Sequence, residues 1–300
     1  MEVVFNILKV IILSIVEGVT EFLPVSSTGH LIIANEFVGL EPEKFANSFN
    51  VIIQLGAILS VVVIYFEKLN PFPKRKLKHG DWPEKLKNPE TKNLLAKKVY
   101  YWFTHNRTVD LWLKIVIAVL PSMVLGLIFD DKIDELLFKP VPVAIALIFY
   151  GVIIILLEEK NRKKSDYKYS NPVQVSYKTA FLIGCFQVLA MWPGTSRSAA
   201  TIIGAMILGL SRPAAAEFSF FLAIPTMVGA TLLKLIKMES LVLGQWLMIL
   251  LGFILSFIVA YIVVKKFLSY VQKNDFKVFG YYRVILGLLV LILVLTGVFN

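Results

Sequence analysis

Charged residues are scarce in this chain, and cysteine and histidine are nearly absent. Only 17% of the 300 residues are charged, whereas 57% are hydrophobic and the mean hydropathy is +0.72. Soluble globular domains usually carry about 25% charged residues, so the composition argues against a soluble fold. A single cysteine cannot form an internal disulfide, and one cysteine with three histidines provides no ligand set typical of zinc.

Long apolar segments dominate the chain instead. Ten can be read, at 3–23, 30–39, 45–66, 110–129, 141–157, 177–192, 199–210, 216–236, 242–264 and 281–299. A helix needs about 20 apolar residues to span a bilayer core, so two of these segments are too short. The alternation typical of membrane β-barrel strands is missing. The sequence predicts an all-α polytopic membrane protein, built as a single integral membrane domain over residues 1–300.

The two short segments, 30–39 and 199–210, each follow a polar break that contains a proline. The first break is PVSSTGH at 24–30, and the second is WPGTSRS at 192–198. Proline ends the helix before it because it lacks an amide hydrogen and clashes with the preceding turn. Each break therefore predicts a re-entrant pair, in which a short helix returns to the side of entry. The alternative is that the helices before the breaks cross the membrane fully.

The two halves of the chain resemble each other in their order of features. Pro24-x-x-Ser27 matches Pro193-x-x-Ser196, and three long apolar segments follow each re-entrant pair. Because the first half crosses the membrane three times, an odd number, the second half begins on the opposite face. The two halves would then form an inverted repeat. This predicts two five-helix units, at about 3–157 and 177–299, each a re-entrant helix pair plus three transmembrane helices.

The formal net charge of +10 is explained by membrane topology, and no nucleic-acid partner is expected. Loop 67–109 holds eleven Lys or Arg against four acidic residues, and the segments 158–176 and 265–280 hold five and four more basic residues. In the re-entrant arrangement these three regions share one side, which the positive-inside rule makes cytoplasmic. The acidic segment 129–140 then lies outside.

The first break is surrounded by groups that carry chemistry. Ionisable residues cost about 2.5–3.5 kcal/mol at membrane depth, yet Glu17, Glu21 and His30 lie there. The two glutamates share one helix face, where two carboxylates share a proton or hold a cation. The free amide groups at the start of the next helix suit a phosphate. The same turn contains Ser26, Ser27, Thr28 and Gly29.

The second break adds a cation. Arg197 lies among hydroxyls at a helix start, and arginine binds phosphate oxygens through a two-pronged fork. The other candidate phosphate-binding residues at or near the second break are Gly194, Thr195, Ser196, Ser198, Thr201 and, one helix earlier, Gln187. The structural alternatives are a simple helix cap for the serines, a snorkelling arginine and a helix-packing glutamine.

If the breaks meet, the combined set suits phosphoryl transfer. Arg197 and the helix amides would neutralise charge in the transition state. A serine would attack phosphorus, with His30 or Glu21 handling the proton.

These motifs resemble those of the bacterial undecaprenyl-diphosphate phosphatases, also called bacitracin-resistance proteins. The first signature is EGVTEFLPVSSTGH at 17–30, and the second is PGTSRS at 193–198 with Thr201. Stretches 49–57 and 212–220 also resemble the family, so the likeness covers nearly the whole chain. Ala199 and the pair at 191–192 depart from the family's pattern, and loop 67–109 is longer than expected.

The resemblance implies an enzyme of the bacterial inner membrane that converts undecaprenyl diphosphate to the monophosphate and inorganic phosphate. This recycles the lipid carrier of cell-wall synthesis. The resemblance also implies a site that opens to the extracytoplasmic face, and resistance to bacitracin, which competes for the substrate. The matched positions imply Ser27 as nucleophile, Glu17 and Glu21 as the acidic pair, His30, and Arg197 as phosphate-binding.

The cofactor expected from the resemblance is a divalent cation, Mg²⁺ or Ca²⁺, at Glu17 and Glu21, with no organic cofactor. The oligomeric state stays open, with a homodimer as one alternative. Two other functions fit parts of the pattern. Broken helices in an inverted repeat are common in transporters, so a polyprenyl-phosphate transporter or flippase is the first alternative. An intramembrane serine protease is the second, although Arg197 and the phosphate-suited helix ends argue against it.

Overall fold

The computed structural model describes residues 2–72, 97, 107–137, 139–162, 166–237 and 240–297. Most of the predicted basic loop 67–109 lies outside these residues, as does part of segment 158–176. The described chain is helical, with one isolated β-bridge between Tyr169 and Leu210.

The two halves of the chain contain the same order of helices. The first half comprises α1 (Glu2–Thr20), α2 (Ser27–Val38), α3 (Glu43–Ile64), α4 (Arg107–Leu137) and α5 (Pro140–Lys160). The second comprises α6 (Tyr177–Val188), α7 (Arg197–Ile207), α8 (Arg212–Lys237), α9 (Leu243–Val271) and α10 (Lys277–Leu295). Single helical turns lie at Phe66–Leu69, Pro172–Gln174 and Leu189–Met191.

Six of the described helices are long and apolar enough to cross a membrane. They are α3, α4, α5, α8, α9 and α10, three from each half. The helices after the breaks, α2 and α7, have 12 and 11 residues and are too short to do so. These lengths confirm the prediction of an all-α, multi-pass membrane protein. The inverted orientation of the two units stays a prediction.

Helices of one half pack mainly against helices of the other, and the pairing is reciprocal: the first helix of each half packs on the fourth helix of the other. α1 packs on α9 and α6 packs on α4, while α3 contacts α8 and α5 contacts α10. Where α6 crosses α4, a Cβ on Gly184 would lie 2.0 Å from the Ala118 carbonyl oxygen, so only glycine permits this approach. The main core takes residues from both halves, among them Phe22 and Phe220. Each half therefore buries its apolar faces against the other.

Two of the predicted cytoplasmic regions meet at one end of the helix bundle. Arg212 Nε donates to both carboxylate oxygens of the buried Glu158, at 2.9 and 3.0 Å. The Phe276 amide donates to the same carboxylate at 3.1 Å, and Lys277 forms an ion pair with Glu159. Segments 158–162 and 275–277 thus lie at the same end of the bundle. Which side is cytoplasmic stays a prediction.

Candidate active site

Both breaks turn through a serine whose backbone conformation is rare for residues with a side chain. Ser26 has φ 74° and Ser196 has φ 73°, and no other non-glycine residue in the described chain has a positive φ. Each serine caps the next helix: Ser26 Oγ accepts from the Gly29 amide and Ser196 Oγ from the Ala199 amide, both at 3.2 Å. Such backbone strain costs on the order of 1–3 kcal/mol and concentrates at functional sites.

The two caps correct the predicted alignment of the breaks by one residue. Spacing from the prolines paired Ser27 with Ser196, whereas the cap conformation pairs Ser26 with Ser196. The second turn has one more residue between its proline and its cap. That turn contains Gly194 at φ 92°, where a Cβ would lie only 2.5 Å from the Val143 carbonyl oxygen. Proline spacing could not predict the cap, because a backbone conformation defines it.

Counting from the caps places complementary residues at equivalent positions. Ser27 and Arg197 are each the first residue of a short helix. Glu17 and Gln187 each lie nine residues before a cap. The same local structure therefore presents a hydroxyl in one half and a guanidinium in the other.

The carboxylate of Glu21 joins the two breaks. Ser27 Oγ donates to Glu21 Oε2 at 2.6 Å, and Arg197 Nη2 donates to Glu21 Oε1 at 2.9 Å. The side chains of Arg197 and Glu21 are only 13% and 7% exposed, so this ion pair is shielded from water. Beside it, Phe22 packs edge-on against Phe220 of the second half at 5.2 Å. The two breaks therefore meet in one place.

Arg197 is held by α8, and its Nε has no acceptor in the part of the chain that the structure describes. Its Nη1 donates to the Ser219 carbonyl oxygen at 2.9 Å, and Thr201 Oγ1 lies 2.6 Å from Ser219 Oγ. The Nε of Arg197 is buried and has no acceptor among the described residues. An unpaired buried donor costs about 1–3 kcal/mol, so an anionic ligand that accepted from Nε would be favoured.

Ser198 ties the second break to the first. Its Oγ donates to the Leu23 carbonyl oxygen at 2.9 Å and lies 3.0 Å from Ser196 Oγ. Ser198 and Thr195 are completely buried. The Ser198 hydroxyl therefore holds the two turns together from the protein side.

Glu17 is a buried carboxylate that has no hydrogen-bond donor among the described residues. Its side chain is 0% exposed, and neither carboxylate oxygen has a hydrogen-bond partner in the described part of the chain. It lies one helical turn before Glu21 and interacts electrostatically with Glu21 and Arg197. A carboxylate in such surroundings needs a proton or a cation.

His30 contacts Tyr282 of α10. Its Nδ1 lies 2.7 Å from the Ser26 carbonyl oxygen, and its Nε2 lies 2.6 Å from the Tyr282 hydroxyl. Because a carbonyl oxygen only accepts, Nδ1 carries a hydrogen. Nε2 forms a hydrogen bond with the hydroxyl of Tyr282. The rings are also parallel, with centroids 5.6 Å apart. Both imidazole nitrogens are engaged, and it is Glu21 that contacts Ser27.

The remaining predicted residues divide between the site and its surroundings. Thr28 is half-buried in the first turn of α2, beside the Gly29 amide that completes the cap. Gln187 lies apart, because its Nε2 donates to Ser122 Oγ at 2.6 Å and to Thr226 Oγ1 at 3.3 Å. No hydrogen bond among the described residues links Gln187 to the paired breaks. Its contacts are those of a helix-packing amide between α4, α6 and α8.

Three residues of the site were missing from the predicted set: Ser219, Tyr282 and Arg283. Arg283 is completely buried in α10 and donates to carbonyl oxygens of both breaks. An arginine inside an apolar segment is costly and often functional, so segment 281–299 did contain a signal for it. Ser219 and Tyr282 carry no such signal, because hydroxyls are common where membrane helices pack.

The assembled site combines an anion-binding surface with a hydroxyl–carboxylate pair. Two helix N-termini and one arginine converge on Glu21, and helix N-termini attract phosphate through free amides and the helix dipole. The serine next to the carboxylate can lose its proton to it when it attacks an electrophile. This chemistry is that of phosphoryl transfer.

Comparison with known proteins gives one consistent result. The profile of the family described as "Bacitracin resistance protein BacA" matches residues 10–289. The chain is similar to undecaprenyl-diphosphatase 1 of Clostridioides difficile, with 50% identity over 288 residues that cover 95% of both chains. It is 47% identical to the undecaprenyl-diphosphatase of Limosilactobacillus fermentum, over 95% of this chain and 96% of that one. The undecaprenyl-diphosphatase of Enterococcus faecalis is 46% identical, over 96% and 97%.

Proposed function

Since this chain belongs to the family of the bacitracin resistance protein BacA, we propose that it is a membrane phosphatase that hydrolyses undecaprenyl diphosphate. The products are undecaprenyl phosphate, which returns to cell-wall synthesis, and inorganic phosphate. One observation carries the proposal: a single buried carboxylate, Glu21, accepts hydrogen bonds from Ser27 and Arg197, which lie in different halves of the chain.

The diphosphate headgroup would lie between the two breaks. The N-termini of α2 and α7 offer amide groups, and Arg197 offers the unpaired Nε hydrogen. Arginine also stabilises the charge that develops on the transferred phosphoryl group. The half-buried Thr28 lies in the first turn of α2 and would complete the contacts with phosphate oxygens.

Ser27 is the nucleophile that the geometry supports. Its Oγ would form a bond to the terminal phosphorus while the bond to the bridging oxygen breaks, and undecaprenyl phosphate leaves. Glu21 takes the serine proton, since its carboxylate is 2.6 Å away. Water then attacks the phosphoserine, inorganic phosphate leaves, and the proton returns to Ser27. Ser26 is less suited because its Oγ caps α2 in a strained turn.

Glu17 and Glu21 would hold the divalent cation expected from the family resemblance. The fit rests on Glu17, which is buried with both carboxylate oxygens lacking a donor in the described chain. Mg²⁺ is commonly held by one or two carboxylates together with substrate phosphates, which matches a site with two glutamates and a diphosphate. When bound, the cation would neutralise phosphate charge.

The cellular setting follows from the same premise. We place the protein in the bacterial inner membrane, with the site open to the extracytoplasmic face. There it would meet the undecaprenyl diphosphate released by wall synthesis, and bacitracin would compete for that substrate. Homodimerisation stays a prediction.

Phosphate release in detergent tests the proposed function against the flippase alternative. Purified protein in micelles should release inorganic phosphate from undecaprenyl diphosphate, because hydrolysis needs no second compartment. A transporter would leave the substrate intact under these conditions. An absence of phosphate release from folded protein, with and without Mg²⁺ or Ca²⁺, would contradict the proposal.

Glu21→Gln should lower kcat for this reaction by about 100- to 10,000-fold, the contribution of a positioned base. The amide also replaces one carboxylate oxygen by an NH2 group, so either Ser27 or Arg197 loses its acceptor. Initial rates of phosphate release give the measurement. Glu217→Gln is the matched control, since Glu217 forms its ion pair with Lys68 at 2.9 Å. Equal rates for the two variants would remove Glu21 from the mechanism.

Tyr282→Phe should lower kcat by about fivefold, because the loss of one hydrogen bond to His30 is worth about 1 kcal/mol. The neighbouring Tyr281, which is 54% exposed, provides the control Tyr281→Phe. A steady-state comparison of the two variants measures the difference. Indistinguishable kcat values would show that the orientation of His30 does not limit turnover.

A further inference from the structure

Arg283 is the largest completely buried side chain in the described part of the chain, and it contacts both breaks. Its Nη1 lies 3.3 Å from the Pro24 carbonyl oxygen, and its Nη2 lies 2.8 Å from the Gly194 carbonyl oxygen. Nη2 also lies 3.4 Å from the carbonyl oxygen of Ala146 in α5. One guanidinium therefore reaches the first break, the second break and a spanning helix.

The two carbonyl groups occupy equivalent positions in the two breaks. Pro24 lies two residues before the cap Ser26, and Gly194 lies two residues before the cap Ser196. Arg283 thus binds the same point of each turn. It lies in α10, which packs on α5, and these are the last helices of the two halves. No other described side chain donates to both turns.

The partners of Arg283 leave its positive charge uncompensated. All three acceptors are neutral carbonyl oxygens, and none of the ion pairs among the described residues includes Arg283. A buried cation without an acid is unfavourable unless something balances it. An anion held between the two breaks would be such a balance.

We propose that Arg283 is a positioning residue that clamps the two breaks in register around the diphosphate. By holding both turns, it sets the distance from the Ser27–Glu21 pair in the first half to Arg197 in the second. Its charge, directly behind the turns, adds to the attraction for the anionic headgroup. The proposal rests on the phosphatase function proposed above.

Arg283→Lys tests the clamp while it keeps the positive charge. A lysine ammonium is a compact charge without the planar fork, so it cannot hold both carbonyl groups in the same geometry. A misplacement of about 1 Å costs about 100-fold in rate, so kcat per folded molecule should fall by about 100-fold. KM should change little, because the phosphate-binding groups and the charge remain.

Arg283→Gln separates charge from geometry and provides a second variant if the lysine protein folds poorly. It keeps a planar amide donor but loses the charge, so its KM should rise and its kcat should fall. The matched control is Arg212→Lys. It weakens the hydrogen bonds of a different arginine, which is partly buried and pairs with Glu158 at the end of the bundle. That control should lower the melting temperature and leave kcat per folded molecule unchanged.

The measurements are kcat and KM for undecaprenyl diphosphate, with the folded fraction taken from size exclusion and thermal melts. If both Arg283 variants keep kcat within about twofold of wild type once the folded fraction is counted, Arg283 has only a structural role and the proposal is overturned. A wild-type protein without turnover overturns the phosphatase function and the clamp together. Wild-type turnover that both Arg283 variants match overturns the clamp alone.

Discussion

Ser27→Ala should lower kcat for phosphate release from undecaprenyl diphosphate by at least about 10,000-fold, the scale seen when a nucleophilic serine is removed from an enzyme. The reason is the short bond between Ser27 Oγ and Glu21 Oε2, 2.6 Å, which prepares this hydroxyl to lose its proton. Alanine keeps the helix start of α2 intact, because the cap is Ser26. The protein should therefore fold and still bind substrate.

The test combines steady-state rates with a trap for the phosphorylated enzyme. Acid quenching of wild-type protein during turnover should capture phosphate on Ser27, and peptide mass spectrometry should locate it. Ser60→Ala is the matched control, since Ser60 is also buried but donates to the Ala57 carbonyl oxygen of its own helix. If Ser27→Ala kept a rate within about tenfold of wild type, direct attack by water would replace covalent catalysis at this serine.

The long helices were predictable from hydropathy alone. The spanning helices α5 and α9 follow apolar segments that start and end within a few residues of the predicted ones, apart from the polar C-terminal turns of α9. Polar residues flank these segments, and burial in lipid decides their length. The chemistry-bearing breaks were also visible, because ionisable residues and prolines stand out against an apolar background.

The register of the breaks and their tertiary contacts were not predictable in the same way. Ser26 and Ser196 share a backbone conformation, and that conformation depends on the turn rather than on the proline spacing. The contact of His30 with Tyr282 joins residues 252 positions apart. Such a contact follows from how α2 packs near α10, which a single sequence does not reveal. Hydropathy located the site, and packing decided which neighbour each side chain has.

The same distinction explains the two arginines of the site. Arg197 was recognisable because it lies in a break, among hydroxyls, at a helix start. Arg283 lies inside the apolar segment 281–299 and resembles a snorkelling residue until its acceptors are known. In the structure it is 0% exposed and its acceptors belong to both breaks. An arginine without an acidic partner inside a spanning helix is therefore a useful signal for a site that two halves of a membrane protein share.

Arg197→Ala should lower kcat by about 1,000-fold or more, the contribution of an arginine that stabilises a transferred phosphoryl group. It removes the cation that faces Glu21 at 2.9 Å and the free Nε donor. Removing one partner of a buried ion pair also destabilises a protein by about 3–5 kcal/mol. Rates must therefore be expressed per folded molecule.

Arg197→Lys distinguishes the catalytic effect from this loss of stability. It keeps the charge near Glu21, so stability should be largely restored, but it cannot supply the bidentate fork that phosphate accepts. The lysine variant should melt close to wild type and still lose about 100-fold in kcat. The control is Arg162→Ala, because the Arg162 side chain is 73% exposed and its ion pair with Glu159 is long, at 3.5 Å. A lysine variant with wild-type kcat would mean that Arg197 contributes only its charge, and phosphate recognition would then rest on the helix amides and on Arg283 behind them.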